Sequence, residues 1–405
     1  MEPYNGFVKQ LTSKPVVGVG WFTSPDNMVS QINRGILDFV GSARASIADP
    51  FLPNKIFEGN EDDIRECIGC NICASCYNQG IPVRCTQNPT MGEEWRRGWH
   101  PEKIKNKTSD ENILIIGGGP AGLEAAMSLG KRGYEVTLAE KEKELGGRIN
   151  KEIQLPGMSS YSRVKDYRTH QIDQLESVNV FLDNQMKVED VIDMEFDHVV
   201  IASGSSWELT TIDDKAIPIN TNENSNCLTP DDILNGAKVN GPVVIYDFDY
   251  YYMGGLIAEF LSGQGHTVNM VTPFENISPW SFMSNELNEI KLRLNEKNVT
   301  IHTDSRMLSS NNSSIEIINR FNKDQSSLEA STVVIVGTRK PRDKIYHELI
   351  KAKSSKIKSI IKIGDADAPG ALYHAVYSGH LFAEYFGEEQ PIDNMKHEYP
   401  MIQPF

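Results

Sequence analysis

One stretch of the sequence joins a short apolar run, a glycine-rich turn, a helical pattern and a second apolar run that ends in an acid. The first run covers residues 112–116, the turn at 117–122 reads Gly-Gly-Gly-Pro-Ala-Gly, and the second run at 135–139 precedes Glu140. Gly-x-Gly-x-x-Gly between a strand and a helix is the fingerprint of a βαβ unit that binds an adenine dinucleotide. The stretch therefore predicts a doubly wound parallel α/β domain.

Each residue of the turn has a part in that prediction. Gly117 makes the tight turn, Gly119 lets the backbone approach the pyrophosphate, and Gly122 allows the helix to pack closely on the strand. Pro120 and Ala121 open the helix, whose N-terminal amides and dipole attract phosphate. The turn is thus predicted to bind a pyrophosphate.

Two acids complete the predicted site. Glu140 follows the second strand and is placed to accept hydrogen bonds from the adenosine ribose and to repel a 2′-phosphate. Asp365 closes a short strand near residue 361, where dinucleotide-binding flavoproteins place an aspartate against the ribityl or pyrophosphate part of the flavin. A Gly-Asp pair after a strand is usually only a helix cap, so Asp365 is assigned because of the other motifs.

A second βαβ pattern begins near residue 241 without a glycine-rich turn. Its strand is followed by Asp247, Asp249 and three tyrosines, then by a helix to about 264 and a strand at 266–271. A pyrophosphate could not approach that backbone closely, and the two aspartates would repel it. We predict a domain that keeps the nucleotide-binding fold but has lost NAD(P)H binding; a divergent, working NADH site is the alternative.

Five of the six cysteines lie within residues 67–85. Cys67, Cys70 and Cys73 have C-x2-C-x2-C spacing, and a fourth thiol from further along the chain would complete the ligands of a [4Fe-4S] cluster. We predict Cys85 as that ligand, because an Ile-Pro pair before it lets the chain turn back, with Cys76 as the alternative. Structural zinc is the rival metal, but the sequence offers no second cysteine pair and no histidine at a pairing offset.

The first sixty residues read as two β/α units. Each has a short apolar strand with a glycine-rich end, and the helix between the strands begins at Pro25 after a serine cap. Such units resemble the end of a TIM barrel, whose last two loops form a phosphate site. Gly20, Ala43 and Arg44 would then contact the phosphate; alternatively the glycine serves a tight turn and the arginine pairs on the surface.

Two strands cannot close a barrel, which needs eight strands and about 250 residues. We therefore expect an earlier part of a longer polypeptide, or a second chain, to complete it.

The net charge of −15 and the lack of a basic run argue against nucleic-acid binding. The absence of a long apolar run or a signal-like N-terminus predicts no membrane insertion and no export, so the cytoplasm is expected. Crowded cysteines fit a reducing compartment, and Cys227 stands alone.

These patterns predict an α/β protein of four units. Residues 1–60 form the end of an incomplete TIM barrel, and residues 61–107 form the cluster segment with its connector. Residues 108–235 together with 340–405 form a nucleotide-binding domain for ADP or FAD. Residues 236–339 form a second Rossmann-like domain inserted into the first.

Several stretches together resemble a known family. They lie at residues 14–20, 43–50, 67–73, 85–88, 92–103 and 117–122. The chain resembles the C-terminal part of the trimethylamine, dimethylamine and histamine dehydrogenases, iron–sulfur flavoproteins of the old yellow enzyme class. The resemblance implies an FMN-bearing barrel that oxidises an amine, a [4Fe-4S] cluster that takes the electrons singly, an electron-transferring flavoprotein as acceptor, and a homodimer.

The resemblance also implies roles for individual residues. Matching positions are Cys67, Cys70, Cys73 and Cys85 for the cluster, Gly117, Gly119, Gly122 and Glu140 for the adenine nucleotide, and Ala43 and Arg44 for the FMN phosphate. Arg148 follows a Gly-Gly pair where the family has Arg or His; it resembles the FAD-binding relatives and leaves ADP or FAD open. The family's catalytic residues lie in barrel strands that this sequence lacks, so no catalytic residue is predicted.

Three functions remain for the sequence. The leading one is the electron-transfer part of an amine dehydrogenase, expected to be inactive without the catalytic barrel. The alternatives are an NAD(P)H-dependent enoate reductase that resembles 2,4-dienoyl-CoA reductase, and a cluster-bearing electron carrier that works alone.

Overall fold

The computed structural model describes Tyr4, residues 6–209 and residues 226–388. The strands are β1 (Val17–Val19), β2 (Phe39–Gly41), β3 (Asn112–Ile116), β4 (Glu135–Ala139), β5 (Val178–Phe181), β6 (His198–Ile201), β7 (Ser205–Trp207), β8 (Cys227–Leu228), β9 (Val243–Asp247), β10 (Val268–Val271), β11 (Thr300–His302), β12 (Ser305–Ser310), β13 (Ser314–Asn319), β14 (Gln325–Glu329), β15 (Thr332–Val336), β16 (Arg339–Pro341) and β17 (Ser359–Lys362). The α-helices are α1 (Pro25–Asn33), α2 (Ala43–Ala48), α3 (Leu52–Glu58), α4 (Ile72–Asn78), α5 (Glu94–Arg97), α6 (Pro120–Lys131), α7 (Ile149–Glu152), α8 (Ser162–Asp173), α9 (Val188–Asp193), α10 (Pro230–Leu234), α11 (Met253–Gly263), α12 (Leu287–Glu296), α13 (Lys344–Ala352) and α14 (Leu372–Tyr385).

The first two strands form a parallel pair, with Val17 opposite Phe39. Helix α1 connects them and begins at Pro25, as predicted, and the Ser24 hydroxyl accepts a hydrogen bond from the amide of Asn27. The stretch after β2 forms helix α2, because its alanines favour a helix.

A five-stranded parallel sheet, in the order β17-β6-β3-β4-β5, forms the first nucleotide-type unit. Strands β3 and β4 have the predicted bounds. Strand β3 lies at the centre of the sheet and is buried, since its apolar side chains face helices on both sides. Helices α6 and α14 pack so closely that a Cβ at Gly379 would lie 2.3 Å from the Ala121 carbonyl oxygen.

A second five-stranded parallel sheet has the order β11-β10-β9-β15-β8. An antiparallel meander, β12-β13-β14, lies between its strands along the chain and shares a buried core with it. Strand β8 belongs to this sheet although it precedes the predicted start at 236. A strand of two residues shows too little alternation of apolar and polar side chains to be recognised in the sequence. The other predicted domain boundaries stay predictions.

A short antiparallel ribbon joins the two sheets. The chain leaves the first sheet after β6, enters the ribbon through β7, and returns through β16 before it reaches β17. In the ribbon Trp207 lies opposite Arg339. The second sheet is therefore inserted between strands of the first, and the two crossings lie side by side.

Residues 1–3, 5, 210–225 and 389–405 lie outside the described chain, so the parts of the predicted units that fall there have no structural account. In the part that the structure describes, no helix has the length and apolar character needed to cross a bilayer.

Candidate functional site

A cavity of about 1920 Å³ opens beside the glycine-rich turn and extends to the inserted domain and to helix α4. Most of the residues that the sequence predicts for nucleotide binding line it: Gly117, Gly119, Pro120, Ala121, Glu140, Arg148 and Asp365. Gly122 lies behind the turn, and Gly20, Ala43 and Arg44 do not line the cavity. The cavity is larger than the usual range for small-molecule sites, roughly 300–1,000 Å³, so it has room for an extended ligand.

Three glycines shape the turn in different ways. Gly117 has a φ of +114°, and a Cβ there would lie 2.4 Å from the Ala202 carbonyl oxygen. A Cβ at Gly122 would lie 2.0 Å from the Gly117 carbonyl oxygen, so both positions need glycine for packing. A Cβ at Gly119 would meet no atom within 4 Å. Gly119 thus leaves open the space through which a pyrophosphate would approach.

Glu140 supports the turn from below. Its Oε2 accepts a hydrogen bond from the Gly118 amide at 2.6 Å, and its Oε1 accepts one from the Glu142 amide at 2.9 Å. The sequence predicted a contact with a ribose and missed these backbone contacts. They hold the carboxylate at the wall of the cavity.

The next part of the wall contains two ion pairs. Arg148 pairs with Asp231 and donates to the Ser205 carbonyl oxygen at 2.7 Å. Asp365 accepts from Arg339 at 2.8 Å and from the Ser205 hydroxyl at 2.7 Å. Both pairs meet at the start of the ribbon, so they hold the inserted domain against the first sheet.

The inserted domain contributes Asp249, the three tyrosines that follow it, and Trp280 to the far end of the cavity. Burial raises the pKa of Asp249 to about 6 and that of Asp247 to about 8. Asp247 is buried at the start of helix α11 and does not line the cavity, so it does not contribute the repulsion predicted for it. Its carboxyl fills the space beside Gly254, where a Cβ would lie 2.3 Å from the Asp247 Cγ.

A buried carboxyl group faces the same end. Burial raises the pKa of Glu152 to about 7, although Arg148 and Arg339 act in the opposite direction. Glu152 and Asp249 give the far end of the cavity an acidic, aromatic wall, unlike the glycine turn at its other end.

Four of the thiols lie close enough to influence one another. Burial, with Cys85 and Cys67 nearby, raises the pKa of Cys70 to about 12. Burial, with Cys67 and Cys73 nearby, raises the pKa of Cys85 to about 11. Among these thiols, Cys73 contributes to the raised pKa of Cys76. The Cys76 side chain lines the nucleotide cavity. This arrangement separates Cys76 from the other four.

Backbone amides point at the sulfurs. The Gly69 amide donates to Cys67 Sγ at 3.4 Å, and the amides of Gln87 and Asn88 stabilise the thiolate form of Cys85. Thiols with such high pKa values stay protonated at neutral pH unless a cation compensates the buried charge. An iron–sulfur core would supply that positive charge at Cys70 and Cys85, and the C-x2-C-x2-C spacing adds Cys67 and Cys73 to the possible ligand set.

Within the described residues, no three histidine, cysteine or acidic side chains converge closely enough to hold a metal ion. The ligands of a four-iron cluster bind different iron atoms and need not converge on one point. None of the six cysteines, all of which are described, forms a disulfide. Cys227 Sγ lies 3.9 Å from the Ser310 hydroxyl. The cluster itself stays a prediction.

A buried ion pair connects the cysteine segment to the glycine turn. Arg168 donates to Glu124 Oε2 at 2.7 Å and to Gln87 Oε1 at 2.9 Å, and both charged side chains are buried. Glu124 lies on α6, directly after the turn, and Gln87 follows Cys85 by two residues. No local pattern indicates this contact, because its members are far apart along the chain.

The predicted FMN-phosphate residues lie at the other side of the cysteine segment. Arg44 does not point into an open loop but donates to Asn71 Oδ1 at 2.8 Å. Gly20 follows β1, and Trp21 after it packs so closely on Gly69 that a Cβ there would lie 2.7 Å from the indole ring. The predicted phosphate end therefore contacts the cysteine loop directly.

Residues 111–361 match the family model described as pyridine nucleotide-disulphide oxidoreductase. The chain belongs to this family. Residues 2–63 also match the NADH:flavin oxidoreductase / NADH oxidase family. Both are families of flavin-binding oxidoreductases. The second match includes Gly20, Ala43 and Arg44, but a barrel origin for this segment stays a prediction.

Three relatives extend the similarity over nearly the whole chain. Dimethylamine dehydrogenase of Hyphomicrobium sp. (strain x) is 35% identical over 95% of this chain and 56% of its own length. Histamine dehydrogenase from Rhizobium sp. 4-9 is 40% identical with a TM-score of 0.94, over 100% of this chain and 60% of that one. The 6-hydroxypseudooxynicotine amine oxidase HisD from Pseudomonas geniculata N1 is 43% identical with a TM-score of 0.92, over 95% and 58%.

These similarities confirm the predicted resemblance to the dimethylamine and histamine dehydrogenases. The chain spans less than two thirds of the length of each of the three relatives. The pyridine nucleotide-disulphide oxidoreductase match at residues 111–361 covers both five-stranded parallel sheets except the last residue of β17.

The open space at Gly119 gives a test of the nucleotide site. We expect Gly119→Ala to fold normally but to raise the dissociation constant of ADP roughly 10- to 100-fold, since a methyl group in a packed contact costs about 1–3 kcal/mol. Isothermal titration calorimetry on nucleotide-free protein measures the change. Gly263→Ala, another position without atoms near the added Cβ, is the control; equal ADP affinity in both variants contradicts the assignment.

Proposed function

We propose that this chain is the electron-transfer portion of an iron–sulfur flavoprotein amine dehydrogenase. Cys67, Cys70, Cys73 and Cys85 would hold a [4Fe-4S] cluster, which accepts and donates single electrons when bound. The glycine turn would hold ADP or FAD. The observation that carries the proposal is the grouping of these four thiols on a segment that contacts both the predicted FMN-phosphate end of the chain and the nucleotide cavity.

The residues around the thiols have a clear chemical part. They bury Cys67, cover Cys70, Cys73 and Cys85 in part, and direct backbone amides at Cys67 and Cys85. The partial burial limits the access of solvent to the site, and the amides stabilise the charge of the thiolates. Trp21 on Gly69 and Arg44 on Asn71 fix the cysteine loop against the N-terminal segment.

The exposed side chains of the N-terminal strands support the proposal that a catalytic barrel includes them. Val17, Val19 and Phe39 are 60%, 59% and 58% exposed, although apolar strand residues are normally covered. We infer that the rest of an FMN-bearing TIM barrel covers this face, either as an earlier part of the polypeptide or as a separate chain. The amine would be oxidised there, and this chain alone would have no dehydrogenase activity.

The inserted domain supports the proposal that electrons come from an amine and not from NAD(P)H. Asp249 and three tyrosines stand where a glycine turn would bind the pyrophosphate of NAD(P)H. A reduced pyridine nucleotide is therefore not the proposed electron donor. The proposed acceptor is an electron-transferring flavoprotein or a similar carrier in the cytoplasm, and the proposed assembly is a homodimer.

One experiment separates the candidate functions. The native polypeptide that carries these residues is purified under nitrogen and mixed with dimethylamine, trimethylamine, histamine or NADH, while flavin absorbance and the electron paramagnetic resonance signal of a reduced cluster are followed. We expect an amine to bleach the flavin and reduce the cluster, and NADH to do neither. Bleaching by NADH alone would instead support the enoate reductase.

A further outcome concerns the chain by itself. If these 405 residues are stable without another chain, hold a reducible cluster and respond to neither amines nor NADH, the electron carrier is the better assignment. If the native polypeptide contains no iron and no acid-labile sulfide, the proposed function is wrong.

A further inference from the structure

Thr86, which follows the predicted ligand Cys85, places its hydroxyl beside the sulfur of another predicted ligand. We propose that this hydroxyl donates a hydrogen bond to Cys70 Sγ and thereby sets the reduction potential of the cluster. The proposal rests on the proposed function, because it needs a cluster on Cys70. It names Thr86 as a positioning residue for electron transfer.

The contact is short and shielded. Thr86 Oγ1 lies 3.2 Å from Cys70 Sγ, within the range for a hydrogen bond to sulfur. Thr86 is 1% exposed, so no bulk water competes for its proton. Burial also strengthens a hydrogen bond to a charged group, because the local dielectric is low. The hydroxyl lies on the chain segment that brings Cys85 back to the loop carrying Cys70.

The direction of the bond follows from the chemistry of the ligand. Between a free thiol and a hydroxyl, either group can donate. A cysteine bound to iron is a thiolate and has no proton to give. With a cluster on Cys70, the proton must therefore come from Thr86.

This donor differs from the others around the sulfurs. The contacts to Cys67 and Cys85 come from backbone amides, which a substitution leaves in place. The contact from Thr86 comes from a side chain and can be removed by one oxygen-to-carbon exchange. Hydrogen bonds to the sulfurs are among the factors that set cluster potentials.

The sign of the effect is fixed by charge. Reduction adds one negative charge to the cluster and its thiolates, so a donor stabilises the reduced form more than the oxidised form. Loss of the donor makes reduction less favourable and lowers the midpoint potential. We expect Thr86→Val to change the equilibrium about tenfold, equivalent to ~59 mV for one electron.

The test uses three variants of the native polypeptide, each first assayed for iron and acid-labile sulfide. Thr86→Val keeps the shape of the side chain and removes the hydroxyl, whereas Thr86→Ser keeps the hydroxyl. Thr90→Val is the matched control, since Thr90 is buried in the same loop but bonds to Asn88 Oδ1 at 2.7 Å. Potentiometric titration monitored by electron paramagnetic resonance gives the midpoint potential of each.

We expect a lower potential in Thr86→Val only, with Thr86→Ser and Thr90→Val close to the wild type. An unchanged potential in Thr86→Val, or an equal shift in Thr90→Val, overturns the proposal, because the hydroxyl would then have no specific effect. A wild-type protein without a cluster overturns the proposed function itself, a result that the iron and sulfide assay shows before any titration.

Discussion

Replacing Cys85 with alanine is expected to remove the iron–sulfur cluster, whereas replacing Cys76 with alanine leaves it in place. Cys85 is partly buried close to Cys67, Cys70 and Cys73, and a cluster that loses one of four thiolate ligands is no longer held. Cys76 lines the nucleotide cavity instead. Iron and acid-labile sulfide per polypeptide, with the visible absorbance of the cluster, measure the result.

The two variants are matched, because each removes one thiol from the same segment. Circular dichroism should show the same helix and strand content in both. A cluster that survives Cys85→Ala but not Cys76→Ala would mean that the four consecutive C-x2-C cysteines are the ligands. Loss in both would mean that Cys76 also supports the site.

Glu124→Gln is expected to cost about 3–5 kcal/mol of the free energy of unfolding, because it leaves the buried Arg168 without a compensating charge. Glutamine keeps the size of the side chain, so no cavity contributes. Urea unfolding monitored by circular dichroism gives the change. Glu195→Gln is the control, since Glu195 pairs with Lys356 on the surface; its effect should be close to zero. Similar effects of the two substitutions would contradict the importance of burial.

The same pair predicts a dependence on pH. Burial alone would raise the pKa of Glu124, but Arg168 and His380 hold it at about 2, below its ordinary value of 4.5. A carboxyl group with a lowered folded-state pKa stabilises the fold above its unfolded-state pKa, and this contribution is lost as the pH falls toward the folded-state pKa. The difference in stability between wild type and Glu124→Gln should therefore shrink by about 3 kcal/mol between pH 4.5 and pH 2.

The sequence was most informative where local geometry determines structure. Strands β3 and β4 were predicted with the correct bounds, since apolar, β-branched runs end at glycines or at an acid. The packing of Gly117 and Gly122 and the open space at Gly119 follow the same local rules. The choice of Cys85 over Cys76 as the fourth cluster ligand stays a prediction.

Contacts between distant parts of the chain could not be predicted. Arg148 was predicted to lie at the nucleotide, and it lines the cavity, but its partner Asp231 belongs to a helix far along the sequence. Arg44 was predicted to contact a phosphate, and the structure pairs it with Asn71. Strand β8 was missed because two residues show no period. In each instance the deciding interaction is tertiary and leaves no local pattern.

The parallel pair β1-β2 has one consequence for the proposed barrel. Among the described residues, neither strand pairs with a third, so each has one outer edge whose backbone groups lack a neighbouring strand. In the barrel that we propose, different neighbours fill these two edges. A single added strand would satisfy one and leave the other open. The rest of that barrel would therefore form a curved arc of strands whose two ends meet this pair from opposite sides.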